Sequence, residues 1–190
     1  LVVAWDISRE TFRQEIYPGY KSNRGAKLPE VQGQIILMRR VLDGLGICQC
    51  DADGCEADDV IATLAHRYAD CGVYVYSRDA DLLQVVAPLV RVWLHSKNAA
   101  EMYAEYLGIV PPECVPVETF EYTEKLVERI QGLKPGLLPD MKALSVDRAN
   151  NIPGLERVGT KTATKIVKAF GSVEQMYEML DLLSYENQVA

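Results

Sequence analysis

An α/β fold, a parallel sheet covered by helices and followed by a helical module, is what this 190-residue sequence predicts. Three observations carry that expectation. Short apolar runs at residues 1–5, 73–77 and 90–94 alternate with stretches of helical period, the pattern of parallel strands joined by crossover helices. Two of the runs end on acids, Asp6 and the turn Arg78-Asp79-Ala80-Asp81, and open α/β sheets place their ligand sites at strand carboxyl ends. From Asn151 onward the chain changes character, to a turn punctuated by Pro153, Gly154 and Gly159 and then helix-forming sequence.

In chain order, residues 1–5 read as a buried strand that delivers Asp6 to the sheet edge. Residues 9–27 are rich in basic and aromatic side chains (Phe12, Arg13, Tyr17, Tyr20, Lys21, Arg24, Lys27), are broken by Pro18-Gly19, and read as a mobile segment. Over 29–45 the apolar positions Val31, Ile35, Leu37, Met38, Val41, Leu42 and Leu45 recur near helical period, and Gly44 and Gly46 mark the end. Residues 47–50 read as a short strand, 58–68 as a helix, 73–77 as a strand, 82–86 as a short helix and 90–94 as another strand. Residues 96–116, with Tyr103, Tyr106, Leu107 and Pro111-Pro112, read as a helical insertion and rigid turn, either a family-specific elaboration or a contact surface for protein partners. Helices follow over 123–131 and 139–144, with Asp147 just beyond. A helix reaching Phe170 comes next, Gly171 breaks it, and Ser172 caps a last helix. The expected domains are an α/β core over 1–139 and a helical module over 140–190.

Composition narrows the classes. The net charge of -7 and pI of about 4.9 argue against coating nucleic acid by bulk charge, although local basic stripes remain compatible. With 48% hydrophobic residues and no apolar run near the roughly 20 residues of a membrane span, the expectation is a soluble intracellular protein without a membrane partner. Five cysteines are an odd number, which excludes a complete disulfide framework and favours a reducing compartment. Cys48, Cys50 and Cys55 lack a second CxxC pair or nearby His, so thiols are expected there and not zinc. The chain opens on Leu1 directly into a strand, which reads as a fragment or trimmed chain.

Glu56, Asp58 and Asp59 admit two readings. Carboxylates at a helix start complement exposed N–H groups and the helix dipole. Alternatively, together with Asp6, Asp79, Asp81 and Asp147 they line one pocket, where mutual repulsion requires divalent cations; oxygen ligands with little His suit Mg²⁺ or Mn²⁺. In the tail, Gly154, Gly159, Lys161 and Thr162 do not form a P-loop, because Thr160 separates Gly159 from Lys161 and no strand leads in. A helix-hairpin-helix fits better, its turn at 154–159 offering N–H groups to a DNA phosphate without reading bases, beside the alternative of an ordinary αα-hairpin.

Thr11-Phe12-Arg13-Gln14-Glu15-Ile16-Tyr17-Pro18-Gly19-Tyr20-Lys21-Ser22-Asn23-Arg24, Gly54-Cys55-Glu56-Ala57-Asp58-Asp59, Asp79-Ala80-Asp81-Leu82-Leu83-Gln84 and Asn151-Ile152-Pro153-Gly154 occur in that order. Together they resemble the 5′ nuclease family, which includes the 5′→3′ exonuclease domain of bacterial DNA polymerase I and the flap endonucleases. The resemblance implies a PIN-like core, a helical arch and a helix-hairpin-helix, acting on branched or 5′-tailed duplex DNA in a bacterial cytoplasm, a mitochondrion or a plastid. It assigns Asp6, Glu56, Asp58 and Asp59 to one Mg²⁺ or Mn²⁺ site and Asp79, Asp81, Asp147 and Asn150 to a second. Asp6, Lys21 and Asp58 become the catalytic set. Arg13, Tyr20, Lys21 and Arg24 fall in the arch, and Gly154, Gly159, Lys161 and Thr162 on the duplex backbone, with K⁺ expected at the helix-hairpin-helix.

The sequence also departs from the family. The family's first strand, with its Asp-Gly signature and metal-ligating Asp, has no counterpart, so it lies outside this sequence or the chain is degenerate. Asn150 stands where the family places an aspartate, which predicts a weaker second metal. Arg78 and Val146 replace glycines, and residues 96–116 match nothing in the family. Two functions therefore compete: a metal-dependent structure-specific nuclease, and a nuclease-derived subunit that binds nucleic acid or scaffolds a larger assembly without cleaving.

Overall fold

The computed structural model describes residues 1–8, 10–25 and 28–180. Arg9, Lys27 and the sequence beyond 180 lie outside the described residues. The chain forms two compact units, one made of Leu1–Arg67 with Arg148–Ile152, the other of Tyr68–Asp147 with the chain from Pro153 on.

In the first unit, β1 (Val2–Ala4) pairs in parallel with β2 (Cys48–Cys50), Val3 opposite Gln49, and the Trp5 N–H donates to the Cys50 carbonyl at 3.0 Å. Between them run α1 (Phe12–Ile16) and α2 (Pro29–Gly44). Pro29 starts α2 where a missing N–H costs nothing, and Gly46 at φ 67° takes the left-handed turn just beyond its end. α3 (Ala57–Arg67) follows β2 and packs against β1. The expected apolar face of α2 is not buried: Leu37, Met38, Val41 and Leu45 are all exposed. A two-stranded sheet offers too little surface to cover it.

The described part of 10–25 is ordered by specific bonds, contrary to the mobile segment expected. The Gln14 side-chain oxygen accepts from the Thr11 N–H at 2.8 Å, the Phe12 N–H donates to the Gly54 carbonyl at 3.0 Å, and Tyr20 is buried.

The second unit holds a three-stranded sheet in the order β3 (Val73–Ser77), β4 (Val90–His95), β5 (Thr119–Tyr122). β3 and β4 are parallel as expected; β5 runs antiparallel to β4 and was not expected as a strand. The turn after β3 is a 3-10 helix over Ala80–Val85, with Leu82 and Leu83 buried. α4 (Ala99–Leu107) brings Tyr103 against Phe120, ring centroids 4.7 Å apart. α5 (Glu124–Gln131) is capped by Thr123, whose hydroxyl accepts from the Leu126 N–H at 3.4 Å.

α6 (Leu138–Leu144) packs on α7 (Thr160–Phe170), burying Met141 and Leu144 from one helix and Ala163 and Val167 from the other. Gly154 is required where it stands: at φ 59°, a Cβ there would lie 2.4 Å from the Ser145 carbonyl carbon. That close approach lets the Leu155 N–H reach the Leu144 carbonyl at 2.9 Å. Ser172 and Gln175 then cap the helical stretch 173–180 reciprocally.

Candidate active site

The start of α3 organises the first unit's polar groups. Gly54, at φ 67°, turns the chain out of the β2 loop and into the acidic start of α3. Glu56 stands just before the helix and Asp59 in its first turn, where the Asp59 carboxylate accepts the Glu56 N–H at 2.9 Å. Asp6, delivered by β1, accepts the Ala57 N–H at 2.7 Å. Both acids thus satisfy N–H groups that a helix start leaves without partners; of the three acids read as capping this stretch, Asp59 does so, and Asp6 joins it from β1.

The same acids also hold cations. Arg13, on α1, forks onto Asp59 with both nitrogens at 2.7 Å, and its guanidinium lies 4.6 Å from the centre of the Phe12 ring. The Lys21 ammonium donates to both Glu56 oxygens at 2.7 Å, and the Tyr20 hydroxyl donates to Glu56 at 3.2 Å. The Arg13 bond, working against burial, holds the Asp59 carboxyl below its ordinary range, and the Arg13 guanidinium is held still more firmly protonated. Burial opposes the charge on Lys21, but the bonds to Glu56 and Tyr20 outweigh it and raise its pKa; burial raises that of Tyr20.

Residues 148–151 fasten onto the turn that carries Lys21. The Lys21 N–H donates to the Asn150 carbonyl at 3.0 Å, Arg24 to the Asn150 side-chain oxygen at 3.2 Å, and Asn23 to the Arg148 carbonyl at 2.9 Å. The Asn151 amide reaches the Gly19 carbonyl at 2.8 Å and the Ser22 hydroxyl at 3.0 Å. Lys21 and Asn151 both sit in the left-handed region, φ 52° and 57°, a conformation costly for a side chain such as lysine and sustained here by these bonds. Asn151, Asn23 and Ser22 were not among the expected site residues. The signal for them was their place in the family stretches ending at Arg24 and beginning at Asn151, with the tolerance of Asn151 for left-handed backbone beside it.

Asp58 lies half-buried on the first turn of α3. The remaining expected residues belong to the second unit. Asp79 is exposed at the end of β3 and accepts the Asp81 N–H at 2.9 Å, while Asp81 is ion-paired to Lys142 of α6. Asp147 closes that unit's first segment. Gly159 precedes α7 and accepts the N–H groups of Thr162 and Ala163 through its carbonyl, with Lys161 and Thr162 exposed on the first turn. The structure therefore brings together Asp6, Arg13, Tyr20, Lys21, Glu56 and Asp59, and separately Arg24 with Asn150 and Asp79 with Asp81.

Among the described residues no three Asp, Glu, His or Cys side chains gather closely enough to hold one metal ion. The donors themselves are carboxylate oxygens, the type a hard cation takes, and those of Glu56 and Asp59 each hold a positively charged side chain.

Residues 1–108 match the family described as "5'-3' exonuclease, N-terminal resolvase-like domain", and 133–189 match its "C-terminal SAM fold". The chain belongs to the 5′-3′ exonuclease family. The first match includes residues 96–108, so this part of the segment thought foreign to the family lies inside it. The chain is 36% identical over 183 residues to DNA polymerase I of Mycobacterium bovis, covering 95% of this chain and 18% of that protein. It is 32% identical over 185 residues to a 5'-3' exonuclease of Mycoplasma pneumoniae, covering 96% of this chain and 58% of the relative. A bacteriophage T5 flap endonuclease, solved in a pseudo-enzyme-product complex with DNA and metal ions, shares the fold with a TM-score of 0.64 at 19% identity. That likeness covers 94% of this chain and 61% of the phage protein.

Proposed function

We propose that this chain is the nuclease portion of a metal-dependent, structure-specific 5′ nuclease that hydrolyses phosphodiester bonds in 5′-tailed or branched duplex DNA. The observation that carries the reading is the constellation at the start of α3. Two partly buried carboxylates, a guanidinium, an ammonium and a phenol meet there, close to family signature residues on both sides. Structural ion pairs alone would not need the strained Lys21 backbone that the 148–151 segment maintains.

In this reading Asp6, Glu56, Asp58 and Asp59 hold one Mg²⁺ or Mn²⁺, and Asp79, Asp81, Asp147 and Asn150 a second, more weakly because Asn150 is neutral. When bound, such cations supply an activated water and charge neutralisation at the leaving 3′ oxygen. Lys21 and Arg13 hold phosphate oxygens near the scissile bond, Tyr20 packs beside them, and Arg24 contacts the 5′ tail. The module over 140–190, turning at Gly154 and Gly159, grips the duplex backbone through N–H groups at the start of α7, with Lys161 and Thr162 on phosphate and K⁺ as the expected partner ion. The DNA in the phage T5 complex supports DNA over RNA.

The second reading, a subunit that binds nucleic acid without cleaving it, is favoured by Asp81, committed to Lys142, and by Asn150, committed to Arg24. A metal titration of cleavage on one labelled flap substrate separates the two. Cleavage in Mn²⁺, abolished by Asp79→Ala and reached at lower metal by Asn150→Asp, is the expected result. Binding without cleavage at any Mn²⁺ concentration, by wild type and Asn150→Asp alike, would leave the second reading.

A further inference from the structure

Glu56 and Asp59 present the oxygens that a hard cation would use, and every one of those four oxygens accepts a bond from Lys21 or Arg13 at 2.7 Å. One oxygen can accept two bonds, as Glu56 Oε2 does from Lys21 and Tyr20. A divalent ion beside an ammonium and a guanidinium is nevertheless repelled by both, so it competes with them for these carboxylates. Resting on the metal-site reading above, we infer that Lys21 and Arg13 are built-in counter-ions that a divalent cation must displace. Loading the metal would then release both basic groups to take phosphate.

The backbone is arranged for such an exchange. Lys21 is anchored by its N–H on Asn150, and α1 by the Phe12 N–H on Gly54, so only the ends of two long side chains need to move. Their aromatic neighbours remain available to them: Lys21 lies 5.0 Å from the Tyr20 ring centre, and Arg13 4.6 Å from that of Phe12. Without metal, the pairing keeps the acids neutralised and the phosphate-binding groups masked. With both ligands, metal on the carboxylates and phosphate on the freed cations favour the same open state. By linkage, each ligand strengthens the other's binding by the same factor, on the order of tenfold for an ordinary coupling.

The test reads metal binding to the whole chain, without turnover, from the electron paramagnetic resonance signal of free Mn²⁺. Lys21→Met and Arg13→Gln should each tighten Mn²⁺ binding by about tenfold. Lys21→Arg, which keeps the counter-ion, and Lys97→Met, which removes a charge elsewhere, should bind as wild type. Glu56→Gln should weaken binding. A second readout needs no variant: in wild type, saturating Mg²⁺ should raise the reductive methylation of Lys21, measured by mass spectrometry, and leave that of Lys97 unchanged.

If Glu56→Gln weakens Mn²⁺ binding while Lys21→Met and Arg13→Gln bind no more tightly than wild type, the exchange is overturned and the metal site stands. If Glu56→Gln binds as wild type, the metal-site reading fails and takes the exchange with it. Should the Lys21 and Arg13 variants not fold, unchanged Lys21 methylation with Mg²⁺ overturns the exchange, and increased methylation supports it.

Discussion

Asp59 accepts two bonds from Arg13 and one from the Glu56 N–H, so protonating it breaks a charge-assisted fork and weakens the start of α3 together. Its pKa in the folded chain lies below the ordinary 3.8, chiefly through Arg13. The unfolded chain therefore binds the proton first. The stability it contributes is full above that ordinary value and is lost as pH falls through the folded value. Arg13 and Asp59 remain partly exposed, so solvent screening keeps the effect modest. Urea midpoints measured from pH 5 downward should fall for wild type below about pH 4, and fall less steeply for Arg13→Gln. Gly154→Ala should act more strongly and at every pH. Its Cβ meets Ser145 backbone that cannot swing away, and the left-handed cost adds about 1–3 kcal/mol to that clash. Chemical denaturation would measure the loss. The sequence singled out Glu56, Asp59, Arg13 and Lys21, which meet in the fold at the start of α3. It could not pair them, because Arg13 and Asp59 stand 46 positions apart and nothing local records the contact.

At the scale of elements, the sequence located α2, α3, α5 and α6 to within a residue or so and the end of α7 at Phe170, since Gly44, Gly132 and Gly171 break three of these helices; α7 begins at Thr160, inside the stretch read as leading up to it. β5 escaped because it has four residues, includes Glu121, and gains its strand character from β4. Its Glu121 accepts the Trp93 indole N–H at 2.7 Å across the ladder, a pairing fixed only when the chain has folded. Phe120 shows what that strand contributes. It is fully buried, with ring centroids of Tyr103 at 4.7 Å, Tyr122 at 5.0 Å and Tyr106 at 6.5 Å. Phe120→Ala should cost about 3–5 kcal/mol, read as a lowered denaturant midpoint, because the surrounding aromatic rings cannot close the space. Leu107→Ala, at a half-exposed position on α4, should cost far less.

For the molecule as a whole, the distribution of burial between the two units has a consequence for how it unfolds. Among the described residues of the first unit only Thr11, Tyr20 and Ala65 are buried, and its order rests on the ion pairs and the fastening of 148–151. The second unit buries Val75, Leu82, Leu83, Val90, Val92, Tyr103, Phe120, Val127 and Val167 in well-packed surroundings. Hydrophobic burial is the larger stabilising contribution, and partly exposed ion pairs add little, so the first unit should open locally at lower free energy. Hydrogen exchange read by mass spectrometry should show peptides of β1, β2 and α2 exchanging well before those of β3, β4 and β5. Raising salt should accelerate exchange in the first unit selectively, because screening weakens Arg13–Asp59 and Lys21–Glu56 but not an apolar core. A chain that loses protection in all five strands at one rate, at low and high salt alike, would instead unfold as one cooperative body and would contradict this division of stability.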